Sequence, residues 1–140
     1  MKYYIATSLS RASAHNKVRD SLKIWGHEIS YDWTLHGSVK SVSKERLREV
    51  ASLELDGVSK ADFVIVLLPG GNGTHLELGF AIAKEKKVFL HSEDPLVFEL
   101  GPQTNAFYYH PDVIRLVCPL ADVGATVHSV LLSLEQSVLL

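Results

Sequence analysis

Cysteine occurs once in the 140-residue chain, at Cys118, so no internal disulfide can form and no thiolate metal cluster can be assembled within one chain. Long runs of like charge are also missing. The 14 basic and 16 acidic side chains leave a formal charge of −2, without the basic stripe that a DNA or RNA polymer requires. No apolar run approaches the length of a membrane span, and the opening MKYYIATSLS is too short and too broken by hydroxyl residues to be a secretion signal. It reads as a first strand, and the cytoplasm is the expected compartment. The seven histidines fall in no HExxH or clustered spacing, so no metal site is expected. Repeats and low-complexity tracts are absent. With 46% apolar residues, the chain is expected to fold as a single domain, residues 1–140, around one core.

Apolar periodicity divides the chain into alternating strands and helices. Tyr3 to Ala6 are β-formers, and Val18, Leu22 and Trp25 fall at helical spacing within 13–25, closed by Gly26. His27 to Trp33 alternates as a second strand would. Ser43 is placed to cap a helix running to about Lys60, with Leu47, Val50, Ala51, Leu55 and Val58 as its apolar stripe. FVIVLL, Phe63 to Leu68, is uninterrupted, the mark of a central parallel strand buried on both faces. A glycine-rich turn, PGGNGTH, leads to helical spacing over 76–84 and to a fourth strand in KKVFLHS. Residues 93–111 contain three prolines and read as loop, 113–117 as a fifth strand and 123–135 as a closing helix. The expected architecture is a three-layer α/β domain, Rossmann-like or flavodoxin-like, with a parallel sheet of about five strands.

In such folds ligands bind beyond the carboxyl ends of the strands, near the switch in strand order. The segments 6–11 and 69–77 fall there. Gly70, Gly71 and Gly73 remove Cβ atoms where a backbone must turn and approach a ligand, while Asn72 or Thr74 can cap the helix behind them and leave N–H groups for an anion. By itself a glycine turn serves equally as a tight strand-to-helix connection. Glu77, in the first turn of that helix, shifts the balance, because its carboxylate is aimed at the crevice; the alternative is a carboxylate that only complements the helix dipole. Ser8 and Arg11, with Ser10, offer hydroxyls and a guanidinium to a phosphate. Asp62 opens the buried strand, where aspartate more often ends a turn, and Tyr4 lies inside the first strand, where tyrosine is more often core.

The run ADFVIVLLPGGNGTHLELGFAIAKEKKVFL, with YYIATSLSR and GHEISYDW before it, resembles the nucleoside 2-deoxyribosyltransferase family, which includes 2'-deoxynucleoside 5'-monophosphate N-glycosidases. The resemblance covers all but the carboxyl third. It implies cleavage or transfer of an N-glycosidic bond in a nucleoside or its 5'-monophosphate, with the glutamate of the Glu-Leu-Gly motif, Glu77, as nucleophile. It further implies that Tyr4 positions this carboxylate, that Asp62 contributes to the sugar and base site, and that Ser8 and Arg11 hold a 5'-phosphate. Gly71 departs from the pattern, standing where the transferases carry an acidic residue and the hydrolases a hydroxyl. Carboxyl-terminal residues that reach a neighbouring subunit's site in the family are not clearly matched; Asn105 is the candidate.

PGGNGTHLE also resembles the PGGxGTxxE motif of the cytokinin-activating, lysine-decarboxylase-like phosphoribohydrolases, which act on the same class of bond. Two other readings stand beside the enzyme: a non-catalytic nucleotide-binding module, suggested by Gly71, and an interaction domain docking through its apolar tail, SVLLSLEQSVLL. The resemblance and the tail together imply a homo-oligomer. The chemistry calls for no cofactor, since a carboxylate with a bound water or base suffices.

Overall fold

A computed structural model describes residues 1–139, with the side chains of residues 1–137. Five parallel strands form one sheet in the order β2-β1-β3-β4-β5: β1 (Lys2–Ala6), β2 (Glu28–Ile29), β3 (Phe63–Leu67), β4 (Lys87–Ser92) and β5 (Val113–Val117). Four helices connect and cover them: α1 (Ala12–Ile24), α2 (Lys44–Lys60), α3 (Asn72–Ala83) and α4 (Val123–Leu139). This is the expected three-layer α/β architecture in its flavodoxin-like order. The order reverses between β1 and β3, so a crevice opens beyond their carboxyl ends.

Because side chains alternate along a strand, the sheet divides its apolar residues between two cores. On one face, Tyr4, Ala6, Val64, Val66, Val88 and Leu90 pack with Val58 of α2 and Leu78 and Ala81 of α3. On the other, Tyr3, Ile5, Phe63, Ile65, Leu67 and Phe89 pack with Val18 and Leu22 of α1 and Val123, Val127 and Leu131 of α4. β3 is buried at all five positions, as its unbroken apolar run predicts. Register pairs Tyr4 with Val64 and Ala6 with Val66, so the two strands end side by side at the crevice.

Several boundaries differ from the sequence reading for local physical reasons. β2 keeps only two residues, because Asp32 turns the chain: its carboxylate accepts from the Thr34 N–H at 3.0 Å and starts a short 3-10 turn over Trp33–Leu35. The Trp33 indole N–H then donates to the Ile5 carbonyl at 2.9 Å, locking this turn onto β1. Ser43 caps α2 as expected, accepting from the Arg46 N–H at 3.0 Å. α3 begins at Asn72 rather than near Leu76, since its first turn faces the crevice and carries no apolar stripe. Short 3-10 turns at Pro95–Phe98 and Ala106–Tyr109 interrupt the loop read over 93–111.

α4 extends to Leu139 and takes in the apolar tail from Ser129 to that residue; Leu140 lies outside the described residues. Part of that tail's apolar character is used inside the domain, where Leu131 packs in the second core.

Gly57 on α2 is a point of close approach. A Cβ there would lie 2.7 Å from Tyr31 Cβ and 3.1 Å from the Tyr4 ring, so only glycine lets α2 seat against β1 at this depth.

Candidate active site

A cleft of about 560 Å³ lies at the crevice between β1 and β3, walled by the end of β1, α2, the first turn of α3 and the loop over 36–40. Its lining includes Ser8, Ser10, Gly71, Asn72, Gly73, Thr74 and Glu77, seven of the residues singled out from sequence. Thr7, Trp33, His36, Lys40 and Glu54 join them. The volume matches a small polar ligand.

Glu77 is held at the cleft floor. It is 8% exposed, and the hydroxyl of fully buried Tyr4 donates a hydrogen bond to its Oε2. Burial raises the Glu77 carboxyl to about 8, with the Tyr4 hydrogen bond pulling the other way and the charge of Glu54 adding to the rise. Tyr4 is pushed far up by burial and by the adjacent carboxylate, so it remains a donor at every working pH. The result is a carboxylate with one oxygen tethered and the other left for a ligand.

Glu54, half-buried on α2, is the second carboxyl in the cleft, and burial raises it too. Its charge adds to the rise at Glu77, as a like charge in the same cleft disfavours the ionised form. The sequence does contain a signal for Glu54. It lies seven residues after Leu47 and four before Val58, on the stripe that α2 turns toward the protein, where a carboxylate is out of place unless it faces a site.

The glycine turn positions this wall of the cleft. Thr74, 3% exposed, accepts from the Gly71 N–H at 3.2 Å, and its side chain occupies the space a Cβ at Gly70 would need, with Cγ2 at 2.4 Å. Gly70 thus serves the turn and does not line the cleft. A Cβ at Gly71 would meet nothing within 4 Å; the missing side chain leaves open space at the amino end of α3, where helix N–H groups lack intrahelical acceptors.

Three further sequence-based assignments change. Asp62 sits at the opposite end of the sheet, exposed, accepting from the Lys2 N–H at 2.8 Å. β3 runs from there to the cleft, about 16 Å at the usual rise, so Asp62 ties strand starts together and cannot reach a ligand at Glu77. Arg11 does not line the cleft either: its guanidinium donates to the carbonyls of Leu68 at 2.9 Å and Leu67 at 3.2 Å, clamping the end of β3. Ser10, one residue earlier, faces the cleft instead. Asn105 caps the Ala106–Tyr109 turn, accepting from the Phe107 N–H at 2.8 Å, and borders a separate apolar hollow beside His75 and Leu76. Among the described residues there is no group of three or more metal-ligating side chains, and no helix is long and apolar enough to cross a membrane.

A flavodoxin-like sheet with a glycine turn, a helix amino terminus and a buried carboxylate converging at its switch point defines an α/β protein built around a small-molecule cleft. The chain belongs to the nucleoside 2-deoxyribosyltransferase family, whose model matches residues 3–130; the family supports an enzyme acting on the N-glycosidic bond of nucleosides or nucleotides. Among solved structures it is similar to the CMP N-glycosidase of Clostridium botulinum, at 17% identity and a TM-score of 0.60 over 91% of this chain and 98% of that one. It is also similar to a 2-deoxyribosyltransferase of Bacillus psychrosaccharolyticus, at 22% identity and a TM-score of 0.65 over 89% and 90% of the two chains. At these identities the likeness establishes a shared fold. A comparison with curated proteins finds no match.

Proposed function

We propose that the protein cleaves the N-glycosidic bond of a nucleoside or nucleoside 5'-monophosphate through a covalent glycosyl intermediate on Glu77. The observation that carries this reading is the buried Glu77 carboxyl in the cleft, fixed through Oε2 by Tyr4. Departure of the base leaves oxocarbenium character at the anomeric carbon, and an anionic oxygen against one face of the sugar stabilises it and bonds to it. The untethered Oε1 attacks C1' while the C1'–N bond breaks. Because burial leaves the proton on Glu77 in the empty cleft, Glu77 must first pass it to the Glu54 carboxylate as substrate binds, and Glu54 then gives it to the departing base nitrogen. In the second half, water or a second base loses a proton to the Glu54 carboxylate and displaces Glu77 from C1'. Tyr4 acts on Glu77 as a positioning residue, and its hydrogen bond favours the ionised nucleophile.

Ser8 and Ser10 of the loop after β1, with Asn72 and Gly73 at the amino end of α3 and Lys40 opposite, make the polar end of the cleft. These groups suit a 5'-phosphate, the role first given to Arg11. The two solved structures of similar fold include both a nucleotide glycosidase and a transferase, the two outcomes open to a glycosyl intermediate. A homo-oligomer is proposed from the family, and sedimentation at micromolar concentration tests it.

The deciding experiment incubates the wild-type protein and Glu77→Ala with nucleosides and 5'-monophosphates, with and without a second free base, and follows base release by chromatography. Release by the wild type, reduced about a thousandfold or more in Glu77→Ala, is the expected result. Dependence on the added base sorts transfer from hydrolysis. Nucleotide binding without release by the wild type refutes the mechanism and favours a binding module, with the open space at Gly71 as the reason.

A further inference from the structure

Gly71 is the N-cap of α3, in extended backbone. An N-cap side chain ordinarily accepts from an N–H group one turn into the helix. Glycine has none, so the N–H groups of Gly73 and Thr74 stand beside the cleft without a capping side chain. Only half of the usual capping box remains, the Gly71 N–H donating to Thr74 Oγ1 at 3.2 Å. A second fastening comes from His75, which lines not the cleft but the separate hollow bordered by Asn105. The Gly71 carbonyl accepts from His75 twice, from its backbone N–H at 3.2 Å and from ring Nδ1 at 2.8 Å. A carbonyl only accepts, so Nδ1 carries the proton, and in the neutral ring Nε2 presents a lone pair. The Tyr108 hydroxyl, 2.7 Å away, donates to it, and both ring nitrogens are paired.

Tyr108 is a firm support for this bond. It is 6% exposed, its ring lies edge-on to Phe98 with centroids 6.1 Å apart, and its backbone carbonyl accepts from the Arg115 guanidinium of β5 at 2.9 Å. The His75 ring stacks on the Tyr108 ring, with centroids 5.8 Å apart and planes at 27°. We infer that His75 is a positioning residue for the glycine turn: braced by Tyr108, it holds the Gly71 carbonyl and thereby sets the backbone over 71–73 to receive the substrate's 5'-phosphate. This rests on the proposed function, in which Asn72 and Gly73 belong to the polar end of the cleft. The grip on the carbonyl does the work of the side chain that Gly71 lacks, while the space a Cβ would take stays open. Glu77 is held independently, by Tyr4 and by burial. Slackening the turn should therefore reach the phosphate end of the ligand and spare the carboxylate.

The test uses purine and pyrimidine nucleosides, ribo and deoxy, each paired with its own 5'-monophosphate. Affinities are measured by calorimetry in a Glu77→Gln background, where turnover is silenced, and kcat and KM are measured with Glu77 intact. His75→Phe keeps a ring stacked on Tyr108 and removes both ring hydrogen bonds; it should weaken the monophosphate about tenfold and the matched nucleoside no more than about twofold. The same split is expected in KM, with kcat nearly constant. His75→Asn, whose NH2 stands where Nδ1–H does, should restore most of the monophosphate affinity. His75→Gln, which reaches the Tyr108 hydroxyl and not the Gly71 carbonyl, should not. Tyr108→Phe removes the brace alone and should weaken the monophosphate about threefold; it serves if the His75 variants do not fold. Equal loss for both members of a pair, monophosphate affinity unchanged in every variant, Asn no better than Gln, or no gain from the phosphate across the wild-type panel overturns the inference. Selection of the monophosphate that depends on His75, without base release by the wild-type enzyme, supports the inference while refuting the glycosidic reading.

Discussion

Replacing Glu77 by Gln should make the protein more stable at alkaline pH while abolishing turnover. In the folded chain burial lifts the Glu77 carboxyl from its ordinary 4.5 to about 8. Between those values the folded state keeps a proton that the unfolded state has released. Folding stability therefore falls as pH rises through that window and levels off above about 8. At about 1.4 kcal/mol for each pH unit between the two values, the loss has a ceiling of about 5 kcal/mol. Water entering the open cleft when the carboxylate forms reduces this to about 2–4 kcal/mol. Gln removes the ionisation while keeping an oxygen to accept from Tyr4, so its stability lacks this dependence. His15 and His91, both lowered by burial, titrate in both proteins and cancel in the difference. The assay is urea unfolding of wild type and Glu77→Gln at intervals from pH 5 to 9, read by tryptophan fluorescence. The two should agree within about 1 kcal/mol at pH 5, and the variant should be ahead by about 2–4 kcal/mol at pH 9. A difference constant within about 0.5 kcal/mol across the range would refute the buried, proton-holding Glu77.

Tyr4→Phe removes the donor that favours the Glu77 anion, so kcat/KM should fall about 10- to 100-fold and its rising limb should move to higher pH; a lower rate with an unmoved limb would contradict the positioning role. Asp62→Ala, far from the cleft, should cost about 1 kcal/mol of stability through the lost bond to the Lys2 N–H and leave kcat and KM within about twofold; a large loss of turnover in the folded variant would return Asp62 to the site. Glu85 closes α3 with φ at 58°, so Glu85→Gly should stabilise the protein by about 0.5–1 kcal/mol in thermal unfolding, and a destabilised variant would show that the Glu85 side chain contributes more than its backbone costs.

What the sequence made legible follows the physics of burial. β3 announces itself because both its faces are covered, and the glycine turn because a strand must become a helix within a few residues. β2 was overextended because alternation continues through Tyr31, while the Asp32 side chain redirects the backbone, an event that periodicity does not register. Tyr4 and Glu77 were paired through the family resemblance; their contact joins residues 73 positions apart and cannot be read from spacing. Arg11 and Asp62 were misplaced for opposite reasons. Arg11 is near the cleft but turned onto strand-end carbonyls, while Asp62 precedes the strand whose far end forms the site. Glu54 was missed because helical reading tracks apolar positions and passes over a carboxylate among them. His75 escaped notice as one histidine among seven.

The loop over 36–40 forms one wall of the cleft, while Tyr4, Glu54 and Glu77 are carried by a strand and two helices fixed in the core. On the proposed reading, the bond-breaking carboxylates and this loop wall therefore sit on separable pieces of chain. A lineage could exchange the loop, altering the groups that meet the substrate, without disturbing the close seat of α2 at Gly57 or the tether between Tyr4 and Glu77. The same division makes the loop the natural segment to randomise when new substrate preferences are sought, with folding and the rate of the first chemical step as the properties that should change least.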